Sequence, residues 1–399
     1  MYIEENNDFE SHIKNIKKNE YVKNFDTKQR IAVINKVSES LKKLSIKKKD
    51  PEILEVCKFF SECTEKYIKW FKLKSNFNHP RGIIYHVPSS NISLMPLYSW
   101  LPSFITGNSN LIRLSTHSKS DKFREIISLI DTILGPKEEV RQIFFEDKKD
   151  NINSYKASLA CKIRILWGHS ETIKNIKNTQ LSNCSLDIAF QTRYSASLIQ
   201  CNEFLKMDAN KLKKLAKSLI NDSLNLSFNA CSSPHIIYFI GKKNEYTKVK
   251  NLLLSILKSD KSKSNSDLGI VTTENIFKIQ NDLITKKRKN TFKNLIFGRP
   301  IIDVLSSEFV GLDLNILKNT SLFVNFSSIN ELKSCWRSEI QTLTYMENTD
   351  ESILENMRND LQGRGPDRFV PIGNALKFDI IWDGINFFET LTRASVINV

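Results

Sequence analysis

Glycine is scarce in this chain, with 12 residues in 399, less than half the usual share of roughly 7%. No GxGxxG segment occurs, so an ordinary Rossmann dehydrogenase is unsupported. Where glycine is rare, each one that remains has a stronger claim to a special backbone position. Cysteine signals are equally thin. The seven cysteines are odd in number, scattered, and without a CxxC pair, which excludes a secreted disulfide framework and a zinc motif. No metal is expected, and the reducing cytoplasm is the expected compartment. No stretch approaches the roughly 18 uninterrupted apolar residues of a membrane-spanning helix. The opening MYIEENNDFE is acidic and polar, so neither a signal peptide nor a transit peptide is expected there.

Acidic residues are also in deficit, 44 against 59 basic ones, for a net charge of +15. Such a balance raises the question of nucleic acid. Arginine, the preferred reader of phosphate and guanine, is the minor partner, with 14 Arg against 45 Lys. The lysines are spread along the chain and read as solvated faces, so no nucleic-acid partner is expected.

What is present fits a soluble globular protein, 40% apolar and 26% charged, and the length predicts more than one domain. Residues 1–75 read as a helical segment. Ile53, Leu54, Cys57, Phe60, Ile68 and Phe71 recur near helical spacing, while Lys42, Lys43 and Lys47 to Lys49 belong in water. From Gly82, short apolar runs (GIIYHV, NLIRL, KIRILW) alternate with amphipathic ones (REIISLIDTIL, ETIKNIKN), the pattern of βαβ units on a parallel sheet. A second such block starts near Cys201. There a helix over DANKLKKLAKSLIND, capped by Asp208, precedes the strand HIIYFIG and the helix EYTKVKNLLLSILKS. Strands are expected again at NLIFG, IIDVL, SLFVNF and EIQTLTY. The polar run Lys258 to Asp267 reads as a loop or insertion. The expected fold is α/β, with two Rossmann-like lobes behind the helical segment. Its expected divisions are 1–75, a nucleotide-binding domain at 76–205, a catalytic domain at 206–375, and an oligomerisation or domain-bridging segment at 376–399.

Four segments could carry chemistry. In SFNACSSPHIIYFIG, Cys231 sits at a turn of small residues leading into an apolar strand, where its thiol is reachable and backbone N–H groups could bind an oxyanion. Cys57, Cys63, Cys161 and Cys335 lie in apolar patterns and read as small core residues. In GIIYHVPSSN, Asn91 follows a strand and a proline-containing turn; its carboxamide could donate to a developing oxyanion or simply cap the next helix. GNSNLIRLSTHSKSD ends a strand at Arg113 and continues with Ser115, His117 and Lys119, suited to a phosphate or ribose. In ILWGHSETI, Gly168 and His169 turn a strand into a helix whose N-terminus could approach a phosphate or nicotinamide.

The order of GNSNLIRLS, RILWGHSETI, NACSSPHIIYFIG, EIQTL and RFVPIGNALKFDIIWDGINFFETLTR over residues 80–399 resembles the aldehyde dehydrogenase superfamily. Within it, the chain is most similar to the acyl-CoA reductases of bacterial bioluminescence, the fatty acid reductase component. The resemblance implies that Cys231 is the nucleophile and that Asn91 is the side-chain oxyanion donor, paired with the Cys231 backbone N–H. It also implies that Arg113 takes the place of the lysine contacting the adenosine ribose, that Gly168 and His169 pass under the cofactor, and that Glu339 holds the nicotinamide ribose. PSSN carries one more residue between Pro88 and Asn91 than the usual motif. After Arg113, Leu114, Ser115 and Thr116 supply no carboxylate, which favours NADPH. LDIAFQTRYS lacks the Glu-Leu-Gly-Gly that supplies a hydrolytic base; Asp187 lies nearby without a clear alignment. A Cys231 thioester would then resist water and could accept hydride. The implied partners are an acyl-CoA or acyl-carrier thioester, an acyl-protein synthetase and an acyl-transferase, with the chain as a homo-oligomer. Two alternatives remain: an NAD(P)-dependent aldehyde dehydrogenase working oxidatively, and a non-catalytic basic nucleic-acid-binding protein.

Overall fold

A computed structural model describes residues 2–3, 9–19, 26–74, 78–115, 121–136, 141–147, 151–183, 185–224, 230–259, 295–296, 299–318 and 320–395. The chain divides into two units, residues 1–192 with 378–399, and residues 193–377.

The first unit opens with β1 (Tyr2–Ile3), α1 (Phe9–Asn19) and a helical hairpin of α2 (Thr27–Lys48) and α3 (Pro51–Lys74). A capping box starts α2: Gln29 N–H donates to Asp26 at 2.8 Å and Asp26 N–H donates to the Gln29 side chain at 2.9 Å. Lys49 ends the helix in the left-handed region, φ 52°. Asp50 then accepts from the N–H groups of Glu52 and Ile53 at 2.9 and 3.2 Å, with Pro51 at the first position of α3. Helix α3 buries Ile53, Val56, Cys57, Phe60, Cys63 and Tyr67, one stripe at helical spacing. It runs three residues past the expected end at Phe71.

After β2 (Asn78–Pro80) come β3 (Ile83–Val87), α4 (Met95–Ile105), β4 (Ser109–Arg113), α5 (Asp121–Leu134), β5 (Gln142–Phe145), α6 (Ile152–Ala160), β6 (Ile163–Trp167), α7 (Ser170–Lys177) and β7 (Leu186–Phe190). The strands form a parallel sheet in the order β1-β5-β4-β3-β6-β7. All five residues of β3 are buried, as in a sheet covered on both faces. Inside it runs a hydrogen-bonded polar chain. The His86 ring pairs with the Ser99 hydroxyl and with Asn110 Oδ1, both at 2.8 Å; Asn110 donates to Gln142 Oε1 at 2.7 Å, which also accepts from Trp100 Nε1 at 2.9 Å. Burial pushes the His86 imidazole down to about 4, against the opposing pull of Asn110.

The second unit contains β8 (Tyr194–Gln200), α8 (Ala209–Leu224), β9 (Pro234–Ile240), α9 (Lys243–Ser259), β10 (Leu295–Ile296), β11 (Arg299–Leu305), β12 (Ser321–Phe326), β13 (Ile340–Tyr345) and β14 (Arg368–Pro371). Its sheet runs β10-β11-β12-β9-β8-β13-β14, parallel except at the β10–β11 edge. Residues 193–205, expected with the first α/β segment, go with this unit because β8 pairs with β9 and β13. Asp208 caps α8, accepting from Lys211 N–H at 2.9 Å. Farther along the same helix the buried Asp222 carboxylate accepts from Gly373 and Ala375 N–H at 2.6 and 3.0 Å. Burial pushes this carboxyl up to about 6, against those two bonds. The expected loop at 258–267 begins inside α9, and residues 260–267 lie outside those described.

From Phe378 the chain rejoins the first unit. β15 (Ile381–Trp382) and β16 (Ile385–Asn386) form a hairpin turned by Asp383 and Gly384, both at positive φ (48° and 74°). β17 (Thr392–Ala394) pairs with β2. Trp382 stacks on Phe378 at 4.6 Å, and both join the core cluster that holds Trp167, Phe387 and Phe388. The expected two α/β lobes with a helical N-terminal segment are therefore present. No described helix is long and apolar enough to cross a membrane.

Candidate active site

In an open parallel sheet, ligands bind beyond the carboxyl ends of the strands, where the strand order reverses. In the first unit β4 and β6 flank β3 and the later strands continue outward on either side, so the reversal lies at β3. The candidate residues of this unit gather at that edge. Asn91 stands in the exposed turn after β3, Arg113 ends β4 with Ser115 two residues on, and Gly168 and His169 follow β6. Thr116, His117 and Lys119 lie outside the described residues. Asn91 is not the cap of α4; Leu94 occupies that position.

Gly168 has φ 155°, and a Cβ placed on it would meet nothing within 4 Å. Its N–H donates to Phe190 O at 3.2 Å, fixing the turn against β7 while the opposite side stays open. His169 is the N-cap residue of α7, without a side-chain cap bond; its Nδ1 pairs with Thr192 Oγ1 at 3.1 Å. Open space at a glycine beside a helix N-terminus suits a dinucleotide phosphate, so these residues fit the expected cofactor. Arg113 donates to Asn151 Oδ1 at 3.0 Å and lies 4.0 Å from Asp147, whose side chain is 2% exposed. A carboxylate thus does approach Arg113. It comes from the end of β5, and it also accepts from the Asn153 and Ser154 N–H groups at 3.2 and 3.0 Å.

In the second unit, Cys231 and Glu339 lie just before the amino ends of β9 and β13, the two strands that flank β8. Of the described cysteines, Cys57, Cys63, Cys161, Cys201 and Cys335 are buried and Cys231 is half-exposed. Burial pushes the Cys161 and Cys201 thiols up to about 12 and raises that of Cys63 as well. Cys231 and Ser232 form the corner of a turn closed by Ser233 N–H to Ala230 O at 3.0 Å. Pro234 then starts β9. The Cys231 carbonyl accepts from the buried Ser195 hydroxyl at 2.7 Å. Burial, then the negative charges of Asp313 and Cys231, raise the neighbouring Tyr194 phenol. Glu339 accepts from Arg337 at 2.7 Å, which holds its carboxyl below the usual range, and its backbone carbonyl accepts from Tyr194 N–H at 2.9 Å.

The Asp187 carboxylate is committed to an ion pair. It pairs through both oxygens with the fully buried Arg164, at 2.7 and 2.9 Å. Sequence reasoning missed Ser195, Tyr194 and Asp147. Only the serine in QTRYS, next to the expected catalytic segments, offered any signal.

Comparison with known proteins adds the family. A family model described as acyl-CoA reductase (LuxC) matches residues 5–295. That span takes in the N-terminal helices and Cys231; Glu339 lies beyond it. No curated protein sequence is significantly similar. Among solved structures, glyceraldehyde-3-phosphate dehydrogenase GapN from Methanocaldococcus jannaschii, complexed with NADP, is 13% identical and superposes with a TM-score of 0.68 over 97% of this chain and 93% of that one. Betaine aldehyde dehydrogenase from Staphylococcus aureus, in complex with NAD+, is 12% identical, with a TM-score of 0.69 over 97% and 86% of the two chains. Aldehyde dehydrogenase 21 from Physcomitrella patens is 11% identical, with a TM-score of 0.67 over 98% and 89%. The fold is that of the aldehyde dehydrogenases.

Proposed function

The chain belongs to the acyl-CoA reductase (LuxC) family, and on that basis we propose that it reduces an activated acyl group, acyl-CoA or acyl-protein thioester, to an aldehyde through an acyl-enzyme on Cys231. The observation that carries this reading is the family match over residues 5–295 around a cysteine that is half-exposed at the corner of a turn.

Cys231 attacks the thioester carbonyl as the thiolate, and the carbonyl oxygen takes up the charge. The Cys231 N–H would bind that oxyanion, and the family resemblance gives the Asn91 carboxamide the same role; losing one such donor typically costs about 10²–10³ in rate. Expulsion of the CoA or carrier thiolate leaves the acyl group on Cys231. Arg113, Ser115, Gly168 and His169 of the first unit would hold NADPH, with Glu339 assigned to its nicotinamide ribose by the resemblance, and the cofactor would supply the hydride. Cys231 departs as thiolate when the aldehyde is released. The Asp187 carboxylate is engaged by Arg164 through both oxygens, which makes it a poor base for activating water. This asymmetry supports reduction over hydrolysis. We place the protein in the cytoplasm, as a homo-oligomer, with an acyl-protein synthetase and an acyl-transferase as partners.

The test is intact mass after incubation with straight-chain acyl-CoA thioesters, butanoyl to hexadecanoyl, without NADPH. Wild type should gain one acyl group and Cys231→Ala none; NADPH should then discharge the adduct as aldehyde. A wild type that takes up no acyl group, even with an acyl-protein synthetase present, would refute the reading.

A further inference from the structure

A hydrogen bond pins each of the two peptide planes flanking Cys231. The plane before it carries the Ala230 carbonyl and the Cys231 N–H, and that carbonyl is held by Ser233 N–H at 3.0 Å. The plane after it carries the Cys231 carbonyl, held by the Ser195 hydroxyl at 2.7 Å. The same hydroxyl accepts from Thr342 N–H of β13 at 3.2 Å. One buried side chain therefore ties the turn of Cys231 to a strand two places away in the sheet.

The ladder explains why a hydroxyl is needed there. Against β9, Ser195 faces Pro234 and Ala196 faces Ile236, so one step on β8 spans two on β9. Against β13, Tyr194 faces Ile340 and Ala196 faces Leu343, so two steps span three. Both neighbours bulge at Ser195, and Pro234 has no N–H to give. The ladder is irregular on both sides here: the β9 register shifts just after the Ser195–Pro234 pair, and the β13 register shifts between Ile340 and Leu343. A serine hydroxyl, one donor and an acceptor, bridges the gap in each direction.

Taking Cys231 as the nucleophile of the proposed acyl transfer, we propose that Ser195 is its positioning residue: by holding the Cys231 carbonyl to β13, it fixes the backbone from which the Cys231 thiol and N–H reach the acyl carbon and its oxyanion. Ser195 touches neither substrate nor cofactor in this role. Its removal lets the plane after Cys231 rotate, and small misplacements of a reacting group can cost about 10²-fold.

The test compares wild type with Ser195→Ala, Ser195→Thr and Ser195→Cys. The readouts are single-turnover acylation by the acyl-CoA that labels wild type best, and alkylation of Cys231 by iodoacetamide, which needs the thiolate but builds no oxyanion. Ser195→Ala should lower the saturating acylation rate by about ten- to a hundred-fold, with an unchanged half-saturation concentration and alkylation within about two-fold of wild type. Ser195→Thr, which keeps the hydroxyl, should restore most of the rate. If Ser195→Ala does not fold, the Thr and Cys variants carry the comparison, the weaker thiol donor giving the slower acylation. Wild-type acylation in Ser195→Ala, equal rates in the Thr and Cys variants, or parallel loss of acylation and alkylation would each overturn the role of Ser195. Failure of wild type itself to acylate would instead overturn the nucleophile and, with it, this inference.

Discussion

Asp187 and Arg164 face one another across β6 and β7 and close a two-pronged ion pair of 2.7 and 2.9 Å, with Arg164 fully buried. Among the described residues, Asp187→Ala leaves the guanidinium with the Ser158 hydroxyl and the Thr179 carbonyl as partners. Breaking a buried pair from one side typically costs about 3–5 kcal/mol. A matching fall in urea-unfolding free energy is expected, while the lifetime of acyl-Cys231 in water stays that of wild type. A shortened or lengthened lifetime at intact stability would restore Asp187 to the chemistry.

Exposure sorts the cysteines. Iodoacetamide under native conditions should label Cys231 ahead of Cys57, Cys63, Cys161, Cys201 and Cys335, all buried. The thiolate is the reactive form, and burial holds Cys161 and Cys201 near 12. Peptide mapping after a short pulse checks the order, and unfolding in urea should erase it.

Arg113 lies at the carboxyl end of β4, where a 2′-phosphate would gain a charge-assisted partner. Arg113→Ala should raise KM for NADPH by about ten- to a hundred-fold and leave KM for NADH nearly unchanged. Equal effects on both cofactors would detach Arg113 from phosphate recognition.

The two units should answer acid in opposite directions. His86 is held neutral with its value lowered from 6.5 to about 4, so its contribution is full above 6.5 and is lost as pH falls towards 4. The loss amounts to about 3 kcal/mol, seen as a shrinking stability gap between wild type and His86→Gln. Asp222 is raised from 3.8 to about 6. Its contribution is full below 3.8 and is lost as pH rises through 6, so wild type should gain on Asp222→Asn during acidification. Urea unfolding across this range measures both; parallel curves for wild type and variant would contradict either assignment.

Local chemistry made much of this architecture readable from sequence. The stripe through Ile53, Cys57 and Phe60 and the cap at Asp208 act within a few residues, and both stand where the pattern places them. Arg164 shows the limit. Within the apolar run KIRILW its burial is invisible until the register sets Asp187 opposite. Ser195 is harder still, because its function depends on two bulges in neighbouring strands that are distant in sequence. Asp147 was missed for a similar reason: its approach to Arg113 spans two parallel strands and a helix start.

The return of the chain at Phe378 sets an order of assembly. During synthesis the whole of 193–377 leaves the ribosome before Phe378, Trp382, Phe387 and Phe388 can enter the core they share with Trp167. The unit whose residues are mostly made first therefore completes its aromatic core last, whereas the unit made after it draws on no segment outside 193–377.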